Sequence, residues 1–173
     1  MKILKYIGIG IIGFIALVLI IPAFLSSKTT VTRSAIVTAP ADTVFSYLSN
    51  FNNFTQWSPW YEKEPSAVVT VVGVGTGSKY SWVGKKVGAG SMTIVGLEPN
   101  KAVDIKLEFT EPWQSVATTK WSVAPAENGS KVTWEMSQDL SYLKRYFGLK
   151  MDEMIGPDFE KGLSNLKDKL DKK

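Results

Sequence analysis

The C-terminal stretch, residues 142–173, restricts the possible folds more than any other part of the chain. Its apolar side chains recur at spacings of three and four residues, which places them on one face of a helix: Leu143, Phe147, Met151, Met154, Ile155, Phe159, Leu163, Leu166 and Leu170. Gly156-Pro157 interrupts this pattern, because a proline inside a helix removes a hydrogen bond and clashes with the preceding turn. We therefore predict a kink or short break near residue 156, with Pro157 in the first turn of the resumed helix.

This apolar face needs a cover, and no second helix of that length follows residue 50. From Val68 onwards the hydrophobic period changes to two, which indicates strands. The predicted strands are residues 31–37, 67–72, 79–83, 88–97, 102–110, 115–124 and 131–140. The fold class is therefore α+β, with a curved antiparallel sheet of about seven strands wrapped around a long C-terminal helix.

Side-chain alternation sorts the residues of the sheet onto two faces. The face turned toward the helix includes Ile94, Ile105 and Trp121 and lacks Asp, Glu, Lys and Arg. Its polar groups are the hydroxyls of Tyr80 and Thr119 and three tryptophan indoles. An apolar wall with a few polar groups is typical of small-molecule pockets. The same composition fits an ordinary hydrophobic core, and both interpretations stay open at this stage.

The candidate ligand-binding residues come from this inner face, the flanking loop and the C-terminal helix: Trp57, Trp60, Tyr80, Trp82, Met92, Phe109, Trp121, Trp134 and Met154. The Trp57-Ser58-Pro59-Trp60 loop has two interpretations, since its rings can gate a cavity or touch lipid, or can plug the end of the sheet. Tyr80 can orient a ligand carbonyl or bond to the backbone. The neighbouring Glu62, Lys63 and Glu64 are expected to form a solvated loop.

Residues 7–25 contain no charge, and as a helix they would measure about 28 Å, close to the ~30 Å hydrocarbon core of a bilayer. We assign Ile7, Phe14, Leu19 and Leu25 to a membrane anchor. The run is longer than a signal-peptide core, which favours an uncleaved anchor over a cleaved signal. We predict an anchor at 1–28 and a soluble domain at 29–173 of a single-pass membrane protein. Lys2 and Lys5 place the domain on the non-cytoplasmic side, whereas Lys28 and Arg33 favour the opposite orientation.

Composition excludes several functions. The chain has no cysteine and no histidine, so disulfides, thiolate metal sites and the commonest general base are absent. We predict no metal and no cofactor. Without Lys2, Lys5 and Lys28, the remaining 17 basic and 16 acidic residues nearly balance, so a nucleic-acid groove is not expected.

The order strand, two short helices, six strands and long C-terminal helix resembles the helix-grip fold of the START-like/SRPBCC superfamily, in its polyketide cyclase/dehydrase and lipid-transport branch. The local sequences that carry the resemblance are Ala39-Pro40, Trp57-Ser58-Pro59-Trp60, the segments 75–82 and 87–94, Val132-Thr133-Trp134 and the segment 154–163. It covers about residues 31–171 and implies a hydrophobic-ligand cavity between sheet and helix. It implies no catalytic motif.

Three functional hypotheses follow. The first is a membrane-anchored binding domain for a hydrophobic small molecule, lipid- or quinone-like, with the lipid bilayer contacted through the N-terminal helix. The second is a cyclase or dehydratase, which needs an acid or base inside the cavity, with Glu108, Glu111 and Asp139 as the candidates. The third is an accessory subunit of a membrane protein complex. The charge-free inner face favours a binding protein over an enzyme.

Overall fold

A computed structural model describes residues 2–171 of the chain, and the side chains of residues 5–171. Met1, Lys172 and Lys173, which fall within the predicted segments, lie outside the described residues. The N-terminal elements are α1 (Lys2–Ile20), a 3-10 turn (Ile21–Phe24), β1 (Lys28–Val37), α2 (Ala41–Leu48), a 3-10 helix (Phe51–Gln56) and α3 (Pro59–Lys63). The strands that follow are β2 (Val68–Val72), β3 (Lys79–Gly84), β4 (Gly88–Glu98), β5 (Ala102–Glu111), β6 (Ser115–Ala126) and β7 (Gly129–Asp139). A 3-10 turn (Tyr142–Lys144), α4 (Arg145–Gly148) and α5 (Met151–Leu170) complete the described chain.

The strands form one antiparallel sheet of seven strands, in the order β1-β7-β6-β5-β4-β3-β2. Helix α5 packs on the inner face of this sheet, with Phe159, Leu163 and Leu166 buried. Two register shifts in β4, at Ala89/Gly90 and Ile94/Gly96, bend that strand and increase its twist. The predicted α+β helix-grip fold is confirmed.

The predicted sorting of the two sheet faces is also confirmed. Ile94, Ile105 and Trp121 on the inner face are at most 1% exposed. On the outer face, Val83 and Val116 are more than half exposed. The alternation works here because antiparallel sheets with one solvated face impose a strict period of two on the sequence.

The predicted start of the C-terminal helix is wrong. The helix begins at Met151, and Leu143 and Phe147 belong to the preceding 3-10 turn and to α4, where they are 53% and 57% exposed. Met154 lies on α5 but is 63% exposed. Successive residues of a helix are rotated by about 100°, so the inward position of Ile155 turns Met154 to the outside.

The predicted short break near residue 156 is wrong, because α5 runs through Pro157 without interruption; the alternative, a kink, stays a prediction. Arg33 on β1 links the turns on either side. Its guanidinium forms two hydrogen bonds with Asp152, at 2.8 and 2.9 Å, and one with Glu160 at 2.6 Å. These carboxylates, Asp152 first, raise the pKa of Arg33. The guanidinium also lies against Gly156, where a Cβ would sit 2.1 Å from Nη2, so tertiary contacts outweigh the proline's local preference.

Residues Lys5–Phe24 form a helical segment with a mean hydropathy of 2.8, which is long and apolar enough to cross a membrane. Its side chains are largely exposed: Ile7, Phe14 and Leu19 are 53%, 68% and 51% accessible. Leu25 is half-buried just after the segment, where the chain turns into β1.

Candidate ligand cavity

A cavity of about 170 Å³ lies between the sheet and α5. Six of the predicted ligand-binding residues line it, namely Trp60, Tyr80, Trp82, Met92, Phe109 and Trp134. Strands β3, β4, β5 and β7 supply five of these side chains, and α3 supplies Trp60. In the described part of the chain, no Asp, Glu, Lys or Arg belongs to the wall.

The other three predicted site residues lie elsewhere. Trp57 and Trp121 are each 1% exposed and sit in the packed core behind the wall. Met154 faces outward, as described above. The prediction that Met154 faces the cavity is wrong, because its side chain lies on the exposed face of α5. Trp57 is buried in the core, which agrees with the interpretation that its ring plugs the end of the sheet. A role in ligand binding stays a prediction for the six residues that reach the cavity.

Sequence reasoning missed several wall residues. Val69 points inward from the edge strand β2, but the sequence of residues 68–72, with valine at four of five positions, does not show which valines face inward. Tyr61 and Ala67 also contribute, but they lie in a short helix and a connecting segment without periodicity. Their positions depend on how the loop between the 3-10 helix and β2 folds back over the sheet.

Most polar groups near the wall bond to one another. The Trp134 indole Nε1 donates to Thr119 Oγ1 at 3.0 Å, and the Thr119 hydroxyl donates to the Glu135 carbonyl at 2.6 Å. Trp82 Nε1 donates to the Val87 carbonyl at 3.3 Å. These bonds orient the two indoles, because each ring has its single donor satisfied.

Tyr80 and Tyr61 both line the cavity, and neither hydroxyl has a hydrogen-bond partner among the residues that the structure describes. Burial raises the pKa of Tyr80, and the nearby Tyr61 raises it further. The Tyr80 phenol is therefore protonated at neutral pH and can donate a hydrogen bond. It is the buried donor best placed to recognise a carbonyl or hydroxyl of an otherwise apolar ligand.

Aromatic rings form one continuous cluster behind the cavity. Trp134 stacks on Phe159 of α5, with centroids 4.3 Å apart and an interplanar angle of 12°. Its edges meet Trp57 at 5.3 Å and Trp60 at 5.6 Å. Offset and edge-to-face arrangements of this kind stabilise aromatic clusters beyond simple burial. The cluster links the sheet, α3 and α5 and thereby fixes the shape of the wall.

The expectation that Glu64 is solvated is wrong, because the residue is only 7% exposed. Its carboxylate accepts hydrogen bonds from the backbone N–H groups of Lys85, Lys86 and Val87, at 2.9, 2.8 and 3.0 Å. These bonds, that of Lys86 first, lower the pKa of Glu64. The side chain caps the β3–β4 turn and holds Val87 at the cavity wall.

Replacing Glu64 with glutamine is expected to lower the melting temperature by several degrees at neutral pH. The amide keeps the shape of the side chain, but its NH2 group faces backbone donors and its oxygen carries no charge. A carboxyl whose pKa is lowered on folding stabilises the protein above its unfolded pKa, and this contribution disappears as the pH falls through the folded pKa. The difference between the two proteins should therefore narrow below about pH 4.3, which thermal melts followed by circular dichroism would show. A constant difference across that range would contradict this role of the charge.

The model of a family described as polyketide cyclase / dehydrase and lipid transport matches residues 28–171. The chain belongs to this family. No curated protein matches the sequence significantly. The family's description covers both enzymes and carriers, so membership alone does not decide between catalysis and binding.

Solved structures show the same fold at low sequence identity. Protein CV1439 from Chromobacterium violaceum is 14% identical, with a TM-score of 0.62 over 83% of this chain and 97% of its own. A putative uncharacterized protein from Rhizobium leguminosarum is 17% identical, with a TM-score of 0.64 over 84% and 96%. The di-domain ARO/CYC StfQ from the steffimycin biosynthetic pathway is 12% identical, with a TM-score of 0.63 over 84% of this chain and 51% of that one.

The three carboxylates predicted as candidate acids or bases lie outside the cavity. Glu108 pairs with Lys106 at 2.7 Å on the outer face of β5, and Lys106 lowers the pKa of Glu108. Glu111 and Asp139 are exposed at strand ends. None of the three belongs to the wall in the described residues.

Proposed function

We propose that this protein is a membrane-anchored binding domain for a hydrophobic small molecule, lipid- or quinone-like, held between the sheet and α5. Residues 1–28 form the anchor and residues 29–173 the binding domain. The observation that carries the proposal is the uncharged, aromatic-rich wall with the free Tyr80 hydroxyl. Such a surface favours an apolar ligand with one hydrogen-bond acceptor.

The size of the cavity narrows the class of ligand. An apolar protein cavity of about 150 Å³ accommodates a benzene-sized molecule, and the space here is about 170 Å³. This volume accommodates one ring or a short alkyl segment, so the remainder of a longer molecule extends out of the cavity. Each buried methylene contributes about 0.8 kcal/mol to binding, which allows affinity without a charged anchor.

The membrane helix explains how such a ligand reaches the domain. Hydrophobic molecules partition into bilayers, and α1 keeps the cavity beside that reservoir. The predicted non-cytoplasmic location of the domain belongs to this proposal and follows from the positive charges of Lys2 and Lys5.

Photocrosslinking of the full chain in detergent tests the proposal. A fatty acid with a diazirine on its alkyl chain is added, irradiated and mapped by peptide mass spectrometry. Crosslinks are expected at cavity residues such as Met92, Phe109 and Trp82, and unlabelled fatty acid or quinone should compete for them. Crosslinks confined to α1 would contradict the proposal, because α1 alone binds apolar molecules non-specifically.

A further inference from the structure

The segment between β7 and α5 holds the end of the apolar helix. The Tyr146 hydroxyl donates to the Val18 carbonyl at 2.9 Å, and the Tyr142 hydroxyl donates to the Leu19 carbonyl at 2.6 Å. Arg145 Nη1 donates to the Pro22 carbonyl at 2.9 Å. These side chains therefore act as a cap supplied by a distant part of the sequence.

The reason for this cap lies in Pro22. A proline has no N–H, so the carbonyl four residues earlier, that of Val18, has no helical donor. The last carbonyls of any helix likewise lack an intrahelical donor, and an unpaired carbonyl next to lipid costs free energy. Tyr142 and Tyr146 supply the missing donors, which fixes residues 142–148 at the level of the last turns of α1.

The surface of this segment is unusual for a protein in water. Three of its large apolar side chains, Leu143, Phe147 and Leu149, are 53–62% exposed, and Met154 in the first turn of α5 is 63% exposed. Lys144 is exposed between them, and Lys150 is also exposed but pairs with Glu153 at 2.8 Å. Exposed apolar groups interleaved with lysines are typical of segments that lie in the interface of a bilayer, where the apolar groups enter the lipid and the ammonium groups meet phosphates.

We propose that Leu143, Phe147, Leu149 and Met154 form a second membrane contact, called here the interfacial patch, which lies in the headgroup region of the bilayer spanned by α1. The inference rests on the membrane anchoring proposed above. A bilayer is the partner of this surface, because the segment is hydrogen-bonded to the last turns of the spanning helix and therefore reaches the surface of the bilayer that α1 spans.

The interfacial patch lies at the same end of the domain as the cavity. Strand β1 starts at Lys28, opposite Asp139 at the end of β7. Antiparallel order brings the end of β5 and the start of β4 to that same end of the sheet, where Phe109 and Val87 line the cavity. Ile155, one residue after Met154, also belongs to the wall. The interfacial patch therefore holds the cavity end of the domain against the membrane. A ligand can then pass between the bilayer and the cavity with little exposure to water.

Site-specific fluorescence tests this inference, and the natural absence of cysteine makes single-cysteine variants of the full chain direct to prepare. Leu149→Cys, labelled with the environment-sensitive dye NBD, is reconstituted into vesicles of phosphatidylcholine and phosphatidylglycerol that contain headgroup-proximal doxyl lipids. Asn128→Cys, in the exposed β6–β7 turn at the opposite end of the sheet, is the matched control. Phe14→Cys, near the middle of the span Lys5–Phe24, reports insertion of α1 in parallel vesicles whose doxyl groups lie deep in the acyl chains.

The label at position 149 is expected to lose most of its fluorescence to the doxyl lipids, and the label at 128 to keep most of it. Introducing Phe147→Glu into the Leu149→Cys protein should reduce the quenching at position 149, because it places a charge in the interfacial patch. The double substitution Tyr142→Phe and Tyr146→Phe should also reduce it, because it removes the hydroxyls that hold the segment on α1. Equal weak quenching at 149 and 128, with strong quenching at position 14, would overturn the interfacial patch but leave the anchor intact. Absent quenching at position 14 would overturn both, while cavity crosslinking would still report on ligand binding.

Discussion

Replacing Val69 with tryptophan is expected to weaken ligand binding strongly while the domain stays folded. Val69 lines the cavity from the edge strand β2, where the backbone has room to adjust. An indole ring is larger than benzene, and a benzene-sized molecule already requires about 150 Å³. The new side chain would therefore occupy most of a space of about 170 Å³.

Val68→Trp is the matched control, because it makes the same substitution one residue earlier on the outer face, where the valine is 68% exposed. We expect the Val69 variant to lose at least about tenfold in affinity for the competing quinone or fatty acid, equivalent to about 1.4 kcal/mol, and the Val68 variant to match the wild type. The measurement is competition in the crosslinking assay, with circular dichroism as the check on folding. Equal losses in both variants, or undiminished uptake by Val69→Trp, would contradict ligand binding in this cavity.

Replacing Trp134 with alanine is expected to reduce the free energy of unfolding by about 3–5 kcal/mol, the usual cost of removing a buried aromatic side chain. The ring is 2% exposed and stacked on Phe159, so it connects β7 to α5. Its removal also leaves the Thr119 hydroxyl without its indole donor. Since domains are stable by about 5–15 kcal/mol, this variant approaches the limit of folding.

Trp113→Ala provides the control, because that ring is 69% exposed in the β5–β6 loop and surface substitutions usually change stability by less than about 0.5 kcal/mol. Trp134→Phe should lie between the two, since it retains a ring against Phe159 but loses the Nε1 donor. Urea denaturation of the full chain in a mild detergent measures all three. A Trp134→Ala protein within about 1 kcal/mol of the wild type would show that the aromatic cluster contributes little to holding the sheet on α5.

Patterns with a strict period were predictable from the sequence. Ile94, Ile105 and Trp121 were assigned to the inner face because a strand in a half-solvated sheet alternates between core and water. The apolar stripe of Phe159, Leu163 and Leu166 indicated the C-terminal helix for the corresponding reason. Five of the predicted residues that line the cavity followed directly, since they belong to the inner face of the sheet.

Contacts between distant segments were not predictable. Glu64 looked solvated because its neighbours are charged, and only the folded β3–β4 turn presents three N–H groups to its carboxylate. Met154 was assigned to the cavity because both it and Ile155 are apolar, and the pattern did not show which of these two adjacent residues faces inward. Tyr61 and Val69 reach the cavity through the path of a connecting loop and an edge strand.

The sequence by itself determined three features. Its hydrophobic periodicity determined the class of fold, the uncharged inner face determined the apolar character of the interior, and the uncharged run 7–25 determined the candidate membrane segment. The tertiary structure alone decided that a cavity remains beside Tyr80, that α5 passes unbroken through Pro157, and that Tyr142 and Tyr146 cap α1. Each of these depends on groups far apart in the chain, such as Arg33 with Asp152 and Glu160. Periodicity records the environment of each residue, but not which distant residue provides it.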